Sequence, residues 1–237
     1  MRHSVLLLTT GLALLCAACA HYRTPGGAVQ WDALHGTDAD AIPRQPSPHF
    51  PSNLSVVRLQ ASEYQSATVG SYGKGRYSLV TSGELLSETQ LQAMAQWPAV
   101  ASVGRLDLQL LPRKLESLDD LRLSAAKLQS DILLMYTVET TFRIGGQDYG
   151  PDRKLRLGGA PGEGDAVTSV ARAVFTDVRT GYTYGEARGI VSRGLDAAAV
   201  ADARSVDAAR LAAERDAFTQ LVGEAKARWG EIARHYR

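Results

Sequence analysis

The sequence predicts an α/β (α+β) domain: a single mixed β-sheet flanked by helices, with a long C-terminal helix. Three observations carry this reading. Short runs rich in β-formers, such as LSVVRLQ (54–60) and RYSLVTS (76–82), alternate with helical patterns. VTSVARAVFTDV (167–178), RTG and YTYGEARGIV (182–191) form a hairpin signal. Leu211, Phe218, Val222, Ala225, Trp229, Ile232 and Tyr236 recur at helical spacing through the last stretch of the chain.

The elements between follow in order. SETQLQAMAQW (87–97) opens on Ser87 as an N-cap, places Leu91, Met94 and Ala95 at helical spacing and stops at Pro98. VASVGRLDLQLL (100–111) reads as a strand. SLDDLRLSAAKLQ (117–129) is a second helix, with Asp119 and Asp120 favouring its N-terminus and Leu118, Leu121, Ala125 and Leu128 as its apolar stripe. DILLMYTVETTFRI (131–144) starts with a continuous apolar run, the pattern of a central strand buried on both faces. In the hairpin, Thr180 and Gly181 supply the turn. On its second strand Thr183, Gly185, Ala187 and Gly189 leave one face small enough for a helix to approach closely. The apolar stripe of the last helix is therefore expected on the domain's own sheet; a coiled-coil seam is the alternative.

Residues 145–165 hold seven glycines and read as a long functional or disordered loop, with KLRL (154–157) as a short hairpin arm.

The N-terminus is of another kind. Arg2 and His3 precede an apolar run from Val5 to Leu15, followed by small residues around Cys16 and Cys19, the only cysteines. A basic start, a short apolar core and small residues describe a secretory signal. The run is well below the ~20 residues of a permanent membrane span. LCAAC resembles the lipobox of bacterial lipoproteins, in which a small residue precedes the cysteine that is acylated and becomes the mature N-terminus. Ala18 precedes Cys19 whereas Leu15 precedes Cys16, so the resemblance assigns lipidation to Cys19; Cys16 occupies a position where leucine is usual. With Ala20 next and no aspartate there, the resemblance implies the outer membrane. The organisation expected is a signal peptide over 1–18, a lipidated N-terminus and proline-rich tether over 19–52, and a periplasm-facing domain over 53–237. The tether rests on five of the nine prolines and on RQPSPHFPS, which reads as polyproline-like chain.

Composition and motifs exclude much else. Once Arg2 leaves with the signal, 25 Lys and Arg balance 25 Asp and Glu, which gives no net field for nucleic acid or acidic lipid. The five histidines (His3, His21, His35, His49, His235) show no metal spacing, so no metal site is expected. VGSYGKGRYS (69–78) matches neither GxGxxG nor GxxxxGK[ST], and Lys74 is followed by Gly75 rather than a hydroxyl, so a turn is expected and no cofactor. No GxSxG occurs. Glu139 is the one carboxylate in an apolar setting, and a satisfied or rim position is expected for it rather than catalysis. No catalytic residue is assigned.

LRLSAAKLQSDILLMYTVETTF is similar to the helix-to-strand step, ending in aspartate at Asp131, of the periplasmic domains of the curli-secretion lipoprotein, the lipoprotein activator of penicillin-binding proteins and the TolB N-terminal domain. FTDVRTGYTYGEAR resembles the hairpin of the same group. The resemblance covers about half the folded part and implies a mixed sheet flanked by helices. It has no counterpart here for a pore's membrane-spanning hairpins. The function expected is a non-catalytic binding or regulatory module, held on the periplasmic face of the outer membrane by Cys19, with an envelope protein or peptidoglycan as partner. The alternatives are an assembly or secretion component that oligomerises through the long helix and Gly-rich arm, and an envelope hydrolase. Labelling with a radioactive or clickable fatty acid checks the anchor: Cys19→Ser abolishes incorporation and Cys16→Ser leaves it intact.

Overall fold

The computed structural model describes residues 21–34, 44–47, 49–158 and 162–236. Its centre is the strand β7 (Ile132–Ile144), where the sequence places its longest apolar run. Leu133 and Met135 point into one core layer while Ile132, Leu134, Tyr136 and Val138 point into the other. A strand covered on both faces must be apolar at successive positions, which is why alternation is absent.

The other strands are arranged around it: β1 (His21–Arg23), β2 (Ser52–Ala61), β3 (Lys74–Gly75), β4 (Tyr77–Val80), β5 (Val100–Arg105), β6 (Lys114–Leu115), β8 (Gln147–Tyr149), β9 (Lys154–Arg156), β10 (Ala166–Asp177) and β11 (Thr183–Gly194). The main sheet runs β11-β10-β7-β2-β4, with β5 beside β2 and β8 beside β7. It is mixed: β10 is antiparallel to β7 along its whole length, and β2 is parallel to β7 from Leu54 to Arg58. Beyond Arg58 the two strands diverge, and the side chain of Gln60 completes the pairing. Its amide donates to the carbonyl of Val138 (2.8 Å) and its oxygen accepts from the Val138 N–H (2.9 Å). Buried backbone groups need such partners. Outside the main sheet, β3 pairs with β6 and β1 with β9.

Helices α1 (Glu88–Ala95) and α3 (Ala203–Tyr236) pack on one face, and α2 (Leu118–Lys127) on the other. The expected fold class is the one observed. Ser87 caps α1 reciprocally with Gln90, and the Asp120 carboxylate accepts from the N–H groups of Glu116 and Ser117 at the start of α2. The strand expected over 100–111 ends at Arg105, because the Asp107 carboxylate accepts from the Gln109 N–H and turns the chain into a short 3-10 helix at Leu108–Leu110.

Two expectations need correction. The segment read as a tether is part of the fold wherever it is described. His21–Arg23 forms β1, Tyr22, Val29 and Leu34 are buried, and the ring of Phe50 lies 5.7 Å from that of Trp229. The prolines were misleading because isolated apolar residues between them, too sparse for a periodic signal, find pockets made by distant elements. KLRL does not fold back on itself either. Lys154–Arg156 pairs with β1, while β8 forms its own hairpin with β7 through Gly145 and Gly146.

The hairpin and the long helix meet as expected. Gly181 takes φ +72° in the β10–β11 turn, where its N–H donates to the Asp177 carbonyl. On the small face of β11, a Cβ at Gly189 would stand 2.1 Å from the Ala217 carbonyl oxygen and 2.6 Å from the Leu221 nitrogen. The close approach lets Phe218, Leu221, Ala225 and Trp229 reach the sheet, so the apolar stripe of α3 is consumed within the domain. Gly189→Ala should lower unfolding free energy by about 2–3 kcal/mol through overpacking, measured in urea. Gly194→Ala, on the same strand with nothing within 4 Å of the added Cβ, should leave it unchanged.

Candidate functional site

Cys19 and Cys16 lie outside the described residues, but the geometry beside them is defined. Two residues after Cys19 the chain enters β1, whose Tyr22 turns its ring inward against Phe142 and donates its phenol to Asp207 of α3 at 2.8 Å. Asp207 belongs to a buried ionic network. Arg210 binds it with Nε (2.7 Å) and Nη2 (3.1 Å) and binds Glu214 with Nη1 (2.8 Å). Glu214 also accepts from Thr140 of β7 (3.0 Å) and faces Arg58 of β2 at 3.7 Å. Arg58 in turn donates to the phenol oxygen of Tyr64 at 3.3 Å.

Fractional exposure is 0% for Arg210, 1% for Glu214, 3% for Arg58 and 7% for Asp207. Two guanidinium and two carboxylate groups cancel in charge, which is what allows them to be buried together. Burial acts to lower the pKa of Arg210, and the carboxylates of Glu214 and Asp207 outweigh it, leaving the group above its ordinary value and fully charged. Burial, then the hydrogen bond to Asp207, raises the Tyr22 phenol above its ordinary value. The arrangement joins four elements by charged contacts, with the buried Nε of Arg58 left without a hydrogen-bond partner. It is a clamp on the first strand.

The other end of α3 is open. A cavity of about 520 Å³ is lined by Tyr184, Arg228, Glu231, Ile232, Arg234, His235 and Tyr236. Tyr184 and Tyr236 of its wall form an aromatic triad with Tyr182 behind them: the rings of Tyr184 and Tyr236 are 5.1 Å apart, those of Tyr182 and Tyr184 5.1 Å, and the phenols of Tyr182 and Tyr236 meet at 3.2 Å. Asp177, 1% exposed, holds the triad in place. One carboxylate oxygen accepts from the N–H groups of Arg179 and Thr180 in the turn; the other accepts from the Tyr184 phenol (2.6 Å) and the Ser47 N–H. Burial, then the bond to Asp177, raises the Tyr184 phenol above its ordinary value. Arg228 reaches across to Glu231 (2.6 Å).

Residues singled out from sequence fall elsewhere. Glu139 is half-buried on β7 opposite Val170, apart from the ionic network. Asp131 accepts from the Asn53 N–H at 2.8 Å and ties the start of β2 to β7, a structural role. In 69–78, β3 pairs with β6 and Tyr77 is fully buried. Asp207, Arg210 and Glu214 were missed, although their spacing of three and four continues into Ala217 and Leu221 on the same helix face. Charge at those positions reads as a solvated side.

No protein-family model and no curated protein matches the chain. Among solved structures it is similar to the crystal structure of a DUF330 protein from Xanthomonas campestris, with 16% identity, a TM-score of 0.39, and coverage of 81% of this chain and 95% of that one. No helix among the described residues is long and apolar enough to cross a membrane.

The clamp gives a pH signature. A phenol whose pKa is raised by folding contributes stability that is complete below its ordinary value of 10.0 and is lost as pH rises above it. Tyr64, Tyr77 and Tyr184 shift in the same direction. Unfolding free energy should therefore fall steeply above about pH 10. Tyr22→Phe should cost about 2 kcal/mol at neutral pH and make the alkaline fall shallower. Denaturant titrations at pH 7.5 and 10.5 check both.

Proposed function

We propose that the chain is a lipid-anchored cell-envelope protein, attached through Cys19 to the outer membrane on its periplasmic face. In this reading its folded body is a non-catalytic module that presents a binding cleft to an envelope partner. The supporting observation is the placement of the two ends of α3. Its N-terminal part is clamped to β1, two residues from Cys19, and its C-terminal part carries the open aromatic cleft. At 1.5 Å per residue, the 29 steps from Asp207 to Tyr236 set the cleft about 40 Å from the contact between α3 and β1. The helix is then a rigid spacer, the role a flexible tether would otherwise fill.

The cleft has the chemistry of a recognition surface. Tyrosines offer large amphipathic area with little entropy to lose, and Arg228 and Arg234 flank them; Tyr and Arg are over-represented among residues that dominate interface energies. Asp207, Arg210 and Glu214 are engaged with one another and with Tyr22 and Thr140, which favours a structural role for them over catalysis. The partner would be an envelope protein or peptidoglycan. Oligomerisation through the apolar stripe of α3 is disfavoured, since that stripe faces the sheet.

Photo-crosslinking in intact cells, with a photoreactive amino acid replacing Arg234 in the cleft, checks this reading. A discrete adduct is expected, and Tyr236→Ala with Arg228→Ala should reduce it about tenfold or more while leaving fatty-acid incorporation unchanged. A photoreactive residue replacing Lys127 on α2 should give no such adduct, and equal adducts from both positions would count against the cleft.

A further inference from the structure

A second cavity, of about 200 Å³, lies on the face of the sheet that α2 covers. Its floor is apolar. Leu34, Leu118, Met135 and Val174 are buried there, brought together from the 3-10 helix Trp31–Leu34, α2, β7 and β10. Four polar side chains complete the lining: Asp32, Thr176, Thr183 and Glu186. A β-bulge brings the last two to one face. Phe175 stands opposite Gly185 but Thr176 opposite Thr183, so Tyr184 is the extra residue. In a regular strand Thr183 and Glu186, three positions apart, would point to opposite faces. The bulge turns both into this cavity and sends Tyr184 to the cleft, and such re-aiming of side chains is what bulges do beside sites.

The four polar side chains are not spent on the fold. Among the described residues none of them makes a hydrogen bond or an ion pair. Thr176 is 1% exposed and its hydroxyl is buried without a partner, where valine would fill the same space at no polar cost. Asp32, Thr183 and Glu186 are exposed at the mouth. No lysine, arginine or histidine lines the cavity, so its two carboxylates are uncompensated. A hard divalent ion would need six or more oxygen ligands. The apolar floor offers none, and among the described residues no group of three ligating side chains occurs. Trp31, half-buried in the wall, adds an aromatic ring of the kind that attracts organic cations.

An apolar pocket with a few convergent polar groups is the usual form of a small-molecule site, and this one is smaller than the roughly 300–1,000 Å³ that drug-sized ligands occupy. We infer that the cavity binds a small organic cation. Its ammonium sits on Asp32 and Glu186, its apolar body covers Met135 and Val174 beside Trp31, and a hydroxyl at its inner end pairs with Thr176. The site needs neither Cys19 nor the cleft, and stands if either of those readings fails.

Tyramine has this layout and serves as the probe. Full-length protein with isotope-labelled methionine methyls is titrated in detergent micelles and followed by NMR. The Met135 methyl should shift saturably, with a Kd of about 1 mM or tighter, while Met94 in the other core layer stays in place. Phenethylamine, which lacks the phenol, should bind about fivefold more weakly. 4-Ethylphenol and 3-(4-hydroxyphenyl)propionate, which lack the cation, should give no saturable shift. Asp32→Asn with Glu186→Gln should weaken tyramine about tenfold, whereas Glu163→Gln with Glu224→Gln, an equal change in charge elsewhere, should not. Thr176→Val should make tyramine and phenethylamine equivalent without lowering unfolding free energy, a pattern that a merely structural threonine would not give. A Met135 methyl that does not respond, that responds equally to 4-ethylphenol, or that is indifferent to the Asp32 and Glu186 substitutions overturns the inference. So does a preference for tyramine that survives Thr176→Val.

Discussion

The Arg210 guanidinium is completely buried, and a charge in that position persists only if its neighbours replace the water it has lost. Asp207 and Glu214 do so with three hydrogen bonds, and through them the charge reaches Tyr22 of β1 and Thr140 of β7, with Arg58 of β2 alongside. Removing one member of such a cluster leaves an uncompensated buried charge and costs about 3–5 kcal/mol, whereas an intact cluster contributes little net stability. The network therefore acts less as a source of stability than as a specification. It fixes which turn of α3 meets the sheet and requires β1 to be present to complete it.

Much of the remaining architecture follows from that register. With Arg210 seated over β2 and β7, the next turns of α3 place Phe218 on Tyr136 of β7 and carry Leu221, Ala225 and Trp229 onto the sheet, where the glycines of β11 allow the backbones to approach. The last turn then meets the hairpin through Tyr236, and Asp177 organises the tyrosines around it. One helix thus connects the region beside Cys19 to the open cleft. A rigid link transmits position, which a proline-rich chain of similar contour length would not.

The fold was legible in the sequence to the extent that each element carries its own pattern. The apolar run of β7, the hairpin with Gly181, Ser87 and the stripe of α3 are local signals with local causes. What escaped is long-range. Tyr22 is a single apolar residue whose partners, Phe142 and Asp207, lie far along the chain, and no window of sequence contains them. The tether was inferred from prolines and missing periodicity, but a strand of three residues that pairs with β9 leaves no periodicity to find. The same holds for the cleft, whose Tyr184 and Tyr236 come from a hairpin and a helix end. Asp207, Arg210 and Glu214 were visible as residues but not as a buried cluster, since polar character in a helix argues for solvent until the sheet beneath it is known.

The central claim is that residues beside Cys19 and the cleft at the end of α3 belong to one rigid body. Spin labels on Arg23→Cys and Arg234→Cys in the full-length Cys16→Ser protein, measured by pulsed dipolar spectroscopy, test it most directly. Arg23 lies on β1 beside the Asp207 clamp, so the helix rise to Arg234 predicts a single narrow distribution centred near 40 Å. A broad distribution, or a mean below about 25 Å, would mean that the first strand is a tether after all and would contradict the account.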